Sequence, residues 1–312
     1  MITLLSDFGY QDAYVAVMKG VIAAIASAEI TCDLTHSVAP QDILSARFNL
    51  KLAYPHFPTG TVHLAVVDPG VGSARRAIAV RCSNADMDCF LVGPDNGILS
   101  GVIEDFMADS ETGKVSAVAL TRSQYWRSGI TAQQLSSTFH GRDIFAPVAA
   151  HLANGIALET LGDRIDAHSL VKPDLPPFTL QTNPTSSAQI DTRARKFTSK
   201  SDAQSIQSAG IILGIGCIQH IDRFGNLISN IPEHAVPHDE WEILLDTLLQ
   251  PCLLSRIKTY SDGALGSIAA LVGSHGWIEI VCNRASAAEA LEAWGGAPVG
   301  TLVQLRGRTI PS

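Results

Sequence analysis

The feature that most constrains this chain is a change of hydrophobic period at a proline-rich stretch. Up to about residue 165, short apolar runs alternate with segments whose apolar residues recur every three to four positions. "ITLLSD" is one such run and stops at a carboxylate, and "DAYVAVMKGVIAAIASA" after it has the spacing of an amphipathic helix. "HLAVVDPG" and "CFLVGPDNG" are again apolar and closed by Pro, Gly and Asp; a further helix is predicted from Asp42 to Tyr54, ended by Pro55. Continuous apolar strands between helices predict a parallel sheet covered on both faces. Past "VKPDLPPFTLQTNPTSS" and the polar "DTRARKFTSKSDAQS" the pattern is all strand: "GIILGIGCIQHID", "LISNI", "WEILLD", "SRIKTY", "GSIAALV", "WIEIVCN" and "GTLVQLRG". Their short, even spacing predicts an antiparallel barrel or sandwich. One helix fits Ser286 to Trp294, with Ser286 and Glu289 as a capping box. The expected organisation is an α/β domain with a mostly parallel sheet over 1–170, a linker and exposed loop over 171–208, and a β domain over 209–312.

A chain of 312 residues exceeds what one core usually serves, and 46% apolar residues can bury a substantial interior. The net charge of −8 argues weakly against a nucleic-acid partner, since phosphate binding needs an excess of clustered Lys and Arg. "MITLLSDFGYQDAYVAV" has no basic segment before an apolar run and reads as the start of the fold, not a signal peptide. No window reaches the roughly 20 apolar residues of a membrane span, so a cytoplasmic protein is expected. Cys32, Cys82, Cys89, Cys217, Cys252 and Cys282 are scattered and unpaired in sequence, which predicts free thiols.

Familiar motifs are missing. "DPGVGSARR" lacks the ending of a phosphate-binding loop, "GIGCIQ" lacks the third glycine of a dinucleotide fingerprint, and no zinc ligand set or nucleophile elbow occurs. What remains is a set of polar clusters in apolar surroundings. Three apolar runs end in Asp7, Asp68 and Asp95, where open α/β sheets bind ligands, although Asp also favours turns for its own sake. The others are "FHGRD" (139–143), "DRFGN" (222–226) and "GSHG" (273–276). On residues alone these support a polar small-molecule site of unspecified type.

In order and in content, "LLSDFGYQDAYVAVMKGVI", "DLTHSVAPQDI", "VVDPGVGSARR", "VGPDNGIL", "FHGRDIFAPVAAHLA", "HIDRFGN" and "GSHGWIEIVCNRASAA" resemble the S-adenosylmethionine hydroxide adenosyltransferases, relatives of fluorinase and chlorinase. The resemblance implies an N-terminal α/β domain, a C-terminal β-barrel, and a homotrimer whose sites lie at subunit interfaces. It implies S-adenosyl-L-methionine as substrate, adenosine and L-methionine as products, and no metal or other cofactor. The water-activating set of the hydrolase branch falls on Asp68, Arg75 and His140. Substrate-binding positions fall on Asp7 for the ribose hydroxyls, Asp222 for the methionine ammonium, Phe224, Asn226 and Arg284 for adenine, and Ser274 for the carboxylate. Fluorinase has Tyr in place of Asp68 and Tyr-Ser in place of His140–Gly141, so the pattern here is that of a hydrolase.

The expected chemistry is in-line attack of an activated water at C5′, with the neutral thioether leaving. Arg75 and His140 are expected to act as two basic groups on one water, with Asp68 orienting them or taking the proton. Arg142 and Asp143 are expected to form a structural ion pair at the helix start. The alternatives are halide-dependent adenosyl transfer, a non-catalytic sensor of adenosine or S-adenosylmethionine, and a generic metal hydrolase.

Overall fold

The computed structural model describes residues 1–127, 134–181, 211–237, 241–247, 249 and 251–307. The chain divides into two compact units, Met1–Asp174 and Leu175–Ser312. Most of the expected loop over 171–208 lies outside the described residues.

The first unit runs β1 (Ile2–Ser6), α1 (Tyr14–Ile25), β2 (Thr31–Thr35), α2 (Ile43–Ala53), β3 (Val62–Val66), β4 (Ala77–Ser83), β5 (Asp88–Pro94), α3 (Ser100–Ala108), β6 (Lys114–Ala119), α4 (Ala146–Ala153) and β7 (Asp163–Ile165). Its sheet has the order β2-β1-β3-β5-β4-β6-β7. The joints among β2, β1, β3 and β5 are parallel, while β4, β6 and β7 extend the sheet antiparallel. The parallel strands β1 and β3 are buried at every position, which is why they read as unbroken apolar runs. The strands that extend the sheet carry exposed residues such as Arg81, Lys114 and Arg164 and give a weaker signal.

Helices cover both faces. Met18 and Ile22 of α1 pack with Val148 and Leu152 of α4 on one side. Ala46 and Leu50 of α2 pack with Val102 and Phe106 of α3 on the other. The start of α2 is fixed by its cap, Asp42, whose carboxylate accepts from the Ser45 amide at 2.9 Å.

The second unit contains β8 (Thr179–Leu180), β9 (Ile211–Ile221), β10 (Leu227–Pro232), β11 (Trp241–Asp246), β12 (Pro251–Ser255), β13 (Ile268–Val272), β14 (Trp277–Cys282), α5 (Ala287–Glu292) and β15 (Leu302–Gly307). The order β12-β11-β15-β9-β10-β14-β13 is antiparallel throughout. A bridge between Arg256 and Ala270, with the Ile257 amide 2.8 Å from the Ala270 carbonyl, joins the two end strands and nearly closes a barrel. Trp241, Ile243, Ile278, Ile280, Val303 and Leu305 fill its core. The strand expected at "SRIKTY" lies earlier, at Pro251–Ser255. A capping box between Thr259 and Asp262 instead curls Tyr260–Asp262 into a 3-10 turn. Ser286 caps α5, accepting from the Glu289 amide at 3.1 Å.

All six cysteines are free thiols, and all but Cys32 are buried. No helix among the described residues is long and apolar enough to cross a membrane. Leu64, fully enclosed at the centre of the first sheet, is a direct test of that core. Leu64→Ala is expected to cost about 2 to 5 kcal/mol in denaturant unfolding, the transfer and cavity cost of a leucine in a packed interior.

Candidate active site

The chain leaves β1 for β2 on one side and returns to β3 on the other. A crevice therefore opens beyond the carboxyl ends of β1 and β3, the topological switch point of an open α/β sheet. Ser6 and Val66 are register partners at those ends, so Asp7 and Asp68 emerge side by side at the same sheet edge. Asp7 receives the Gln41 amide at 2.9 Å on one oxygen. Gln41 is held in the left-handed region at φ 67° to present that amide.

Asp68 opens a tight loop. The Val71 amide turns back to the Asp68 carbonyl and the Ser73 amide to the Gly70 carbonyl, bringing Arg75 over the Asp68 carboxylate. The Arg75 Nε donates to Asp68 Oδ1 at 2.8 Å and Nη2 donates to Oδ2, a two-pronged pair with both side chains almost fully covered. The same Nη2 lies 2.8 Å from Nδ1 of His140, and the guanidinium sits 5.2 Å above the Phe145 ring. The three residues expected to act together are thus in direct contact.

Their electrostatics differ from the expectation in one respect. A guanidinium can only donate, so His140 Nδ1 must be an acceptor and its proton resides on Nε2. Burial, and next the Arg75 charge, push the His140 pKa below the ordinary 6.5, against smaller opposing effects of Asp68 and Asp143. The cluster holds one cation, not two: His140 is a neutral acceptor that fixes the guanidinium.

"SSTFHGRDIFAP" now has a structural reason. His140 precedes a single π-helical turn, Gly141–Phe145, that runs into α4. The Ala146 amide reaches back to the Gly141 carbonyl, and Pro147 has no N–H to offer Asp143. The Asp143 carbonyl accepts instead from the Arg127 amide at 2.9 Å. Asp143 itself is fully buried and pairs with Arg142, as the sequence suggested, and also with Arg127. Gly72, at φ 77°, is where the two loops meet: a Cβ there would stand 2.4 Å from the Ser137 carbonyl oxygen. Phe139 lies edge-on to Phe8, 5.8 Å away, linking this turn to the one that carries Asp7.

Asp95, the third strand-end carboxylate, is occupied structurally. It accepts from Arg76 Nε at 2.7 Å and from the Val171 amide at 2.9 Å.

In the second unit, Asp222, Phe224 and Asn226 share one turn. Asp222 Oδ1 accepts from the Phe224 and Asn226 amides at 2.8 and 2.9 Å, and Oδ2 from Asn226 Nδ2 at 3.0 Å. This carboxylate organises its own turn, leaving Phe224 77% exposed. The turn rests on the cap of α5, with the Ala288 amide 2.9 Å from the Gly225 carbonyl. Arg284, also left-handed at φ 59°, lies just before that cap. Ser274 is exposed in the β13–β14 turn. Its neighbour His275 faces Glu279 at 3.2 Å, and Glu279 accepts from the Tyr260 hydroxyl at 3.0 Å. Burial, then Glu279 and Asp222, push the Tyr260 pKa up to about 12. Glu279 and Tyr260 were passed over in the sequence; the legible signal was a glutamate inside the apolar run "WIEIVC".

The fold and the Asp–Arg–His cluster define an α/β protein with a preorganised polar site at a switch point, joined to a β-barrel. The chain matches the family described as SAM hydroxide adenosyltransferase, its N-terminal domain over residues 2–162 and its C-terminal domain over 216–300. It belongs to that family. It is 34% identical to an (R)-S-adenosyl-L-methionine hydrolase of Thermus thermophilus over 96% of this chain and 98% of the relative. A hydrolase of the same name from Salinispora tropica is 33% identical over 93% of each. A fluorinase of an Actinoplanes species is more distant, at 26% over 91% of each. Among solved structures, an uncharacterized conserved protein of Thermotoga maritima superposes with a TM-score of 0.74 at 28% identity, covering 98% of this chain and all (100%) of that one.

Two outcomes follow from the geometry. Gly72→Ala forces the Asp68–Arg75 loop off the 137–140 loop, and an ångström of separation is expected to lower turnover roughly 10- to 100-fold, measured against the melting temperature of the same variant. Protonating His140 removes the acceptor for Arg75 and places two cations together. The acid limb of the rate profile is therefore expected below pH 6.5, since the imidazole pKa is lowered; a limb above that value contradicts the neutral assignment.

Proposed function

We propose that this protein hydrolyses S-adenosyl-L-methionine to adenosine and L-methionine. The observation that carries the reading is the direct contact of Asp68, Arg75 and His140 beyond the parallel strands. A water oxygen attacks C5′ opposite the sulfonium, the C5′–S bond breaks with its electron pair going to sulfur, and methionine leaves as a neutral thioether. No general acid is needed. One proton must leave the water, and Asp68, the one anion of the three, accepts it while Arg75 stabilises the developing hydroxide charge. His140 holds Arg75 in place through the same Nη2 that donates to Asp68. Attack from a water held about 3 to 3.5 Å from carbon removes much of the entropic barrier.

Asp7 holds the ribose hydroxyls; Asp222 faces the ammonium; Phe224, Asn226 and Arg284 contact adenine; and Ser274 takes the carboxylate. The exposure of Phe224, Ser274 and Arg284 supports a site completed on assembly, and the assembly proposed is a cytoplasmic homotrimer. No metal or cofactor takes part. A halide is disfavoured as nucleophile because it would have to shed water beside the Asp68 carboxylate. Gly141 adds to this, since even a Cβ there stands 3.1 Å from Met18 Sδ and 3.2 Å from Phe139.

The relatives' name specifies the (R) sulfonium, so both sulfonium epimers are assayed separately, with the (R) form expected to be the better substrate. Adenosine and methionine are expected in equal amounts, unchanged by chelator. His140→Ala and Asp68→Asn are each expected to lower kcat by about 100-fold or more. Unchanged turnover in both variants, or halogenated adenosine formed from chloride or fluoride, would overturn the reading. Tight adenosine binding without methionine release would point to a sensor. Sedimentation of the intact protein tests the trimer.

A further inference from the structure

His140 acts only if its ring is held against Arg75. Leu135 and Phe139 pack against the core, but Ser137 and Thr138 between them are exposed. A second anchor is a carboxylate three residues on. Asp143 is buried with no exposure at all and accepts four hydrogen bonds. Oδ1 takes Arg127 Nε at 2.8 Å and Arg142 Nε at 2.6 Å; Oδ2 takes Arg142 Nη2 at 2.9 Å and the Ser136 amide at 3.1 Å. Ser136 begins the loop and Arg142 ends it, so one side chain closes the bracket around His140. The backbone of Ser136 in turn favours the protonated imidazole. Arg142, fixed by Asp143, lays its guanidinium 5.2 Å over Phe139, the residue beside His140. The bracket thus holds the loop at Ser136 and Arg142, on either side of His140.

We propose that Asp143 is a positioning residue of the hydrolytic site, setting the place of His140 through Ser136 and Arg142. This rests on the reading of Asp68, Arg75 and His140 as the hydrolytic set. The charged groups facing His140 are Arg75 and Asp68, from the loop after β3, and Asp143 from its own turn. Asp143 stays ionised throughout the working range: burial would raise its pKa, but Arg142, Arg127 and the Ser136 amide outweigh that and hold it down to about 2. Its charge therefore favours imidazolium. Neutralising it pushes the His140 pKa further down.

The test is Asp143→Asn in the full chain, with kcat, KM and the pH profile measured beside Asp68→Asn and His140→Ala. Displacing His140 by a fraction of an ångström is expected to lower kcat roughly 10- to 100-fold with KM changed less than about threefold. The acid limb is expected to move to lower pH, because a neighbouring negative charge that favours imidazolium is gone. Wild-type kcat, or a fall in kcat with an unmoved acid limb, overturns the proposal. If Asp143→Asn does not fold, Arg142→Met decides: Arg142 is partly exposed, and removing it loosens one side of the bracket. It is expected to lower kcat about threefold to tenfold, and an unchanged kcat overturns the proposal. Activity lost in Asp143→Asn and kept in His140→Ala and Asp68→Asn would instead refute the hydrolytic set itself.

Discussion

The guanidinium of Arg75 is the point on which the site depends. It meets a carboxylate with two prongs, shares one of them with an imidazole nitrogen, and covers an aromatic ring with its face. Each contact uses a different property of arginine: its fork, its number of donors, and its weak hydration. Lysine could supply the charge but not the three contacts together. Burial and, after it, the permanence of that charge keep His140 neutral. Asp68 is held as an acceptor and His140 as a neutral base.

The fold supplies this arrangement through two short loops and one irregular helix. Parallel strands place Asp7 and Asp68 at one edge because their ends coincide in register. The third member comes from 65 residues beyond Arg75 in the chain, and it reaches the site through the π turn before α4. A regular α-helical start would rotate His140 relative to α4; the wider turn changes that phase, and Pro147 permits it by withholding an amide. Gly72 lets two backbones approach where a side chain would keep them apart, and Gly141 leaves room for the Met18 and Phe139 side chains.

Much of this was legible in the sequence because burial and turn chemistry leave local marks. The apolar runs ending at Asp7 and Asp68 are buried strands meeting solvent, and the cap at Asp42 is a local hydrogen bond. Strands β4, β6 and β7 were harder to see because they are stabilised by pairing, which no local period records. "SRIKTY" misled for a related reason: β-branched residues and an aromatic suggested a strand where a capping box had already made a turn. Three-residue proximity was readable only through the resemblance. The protonation of His140 was not readable at all, since it depends on which nitrogen a distant arginine faces.

That protonation alters the chemistry in a specific way. Two cations beside one water would stabilise hydroxide strongly but would also repel a substrate that carries a sulfonium. With His140 neutral, the cluster of Asp68 and Arg75 has no net charge, so the sulfonium approaches without a Coulombic barrier. The guanidinium still presents a positive edge to the developing hydroxide, while the adjoining carboxylate offers a place for the proton. Neutralising the cluster thus trades some stabilisation of the nucleophile for access by the electrophile.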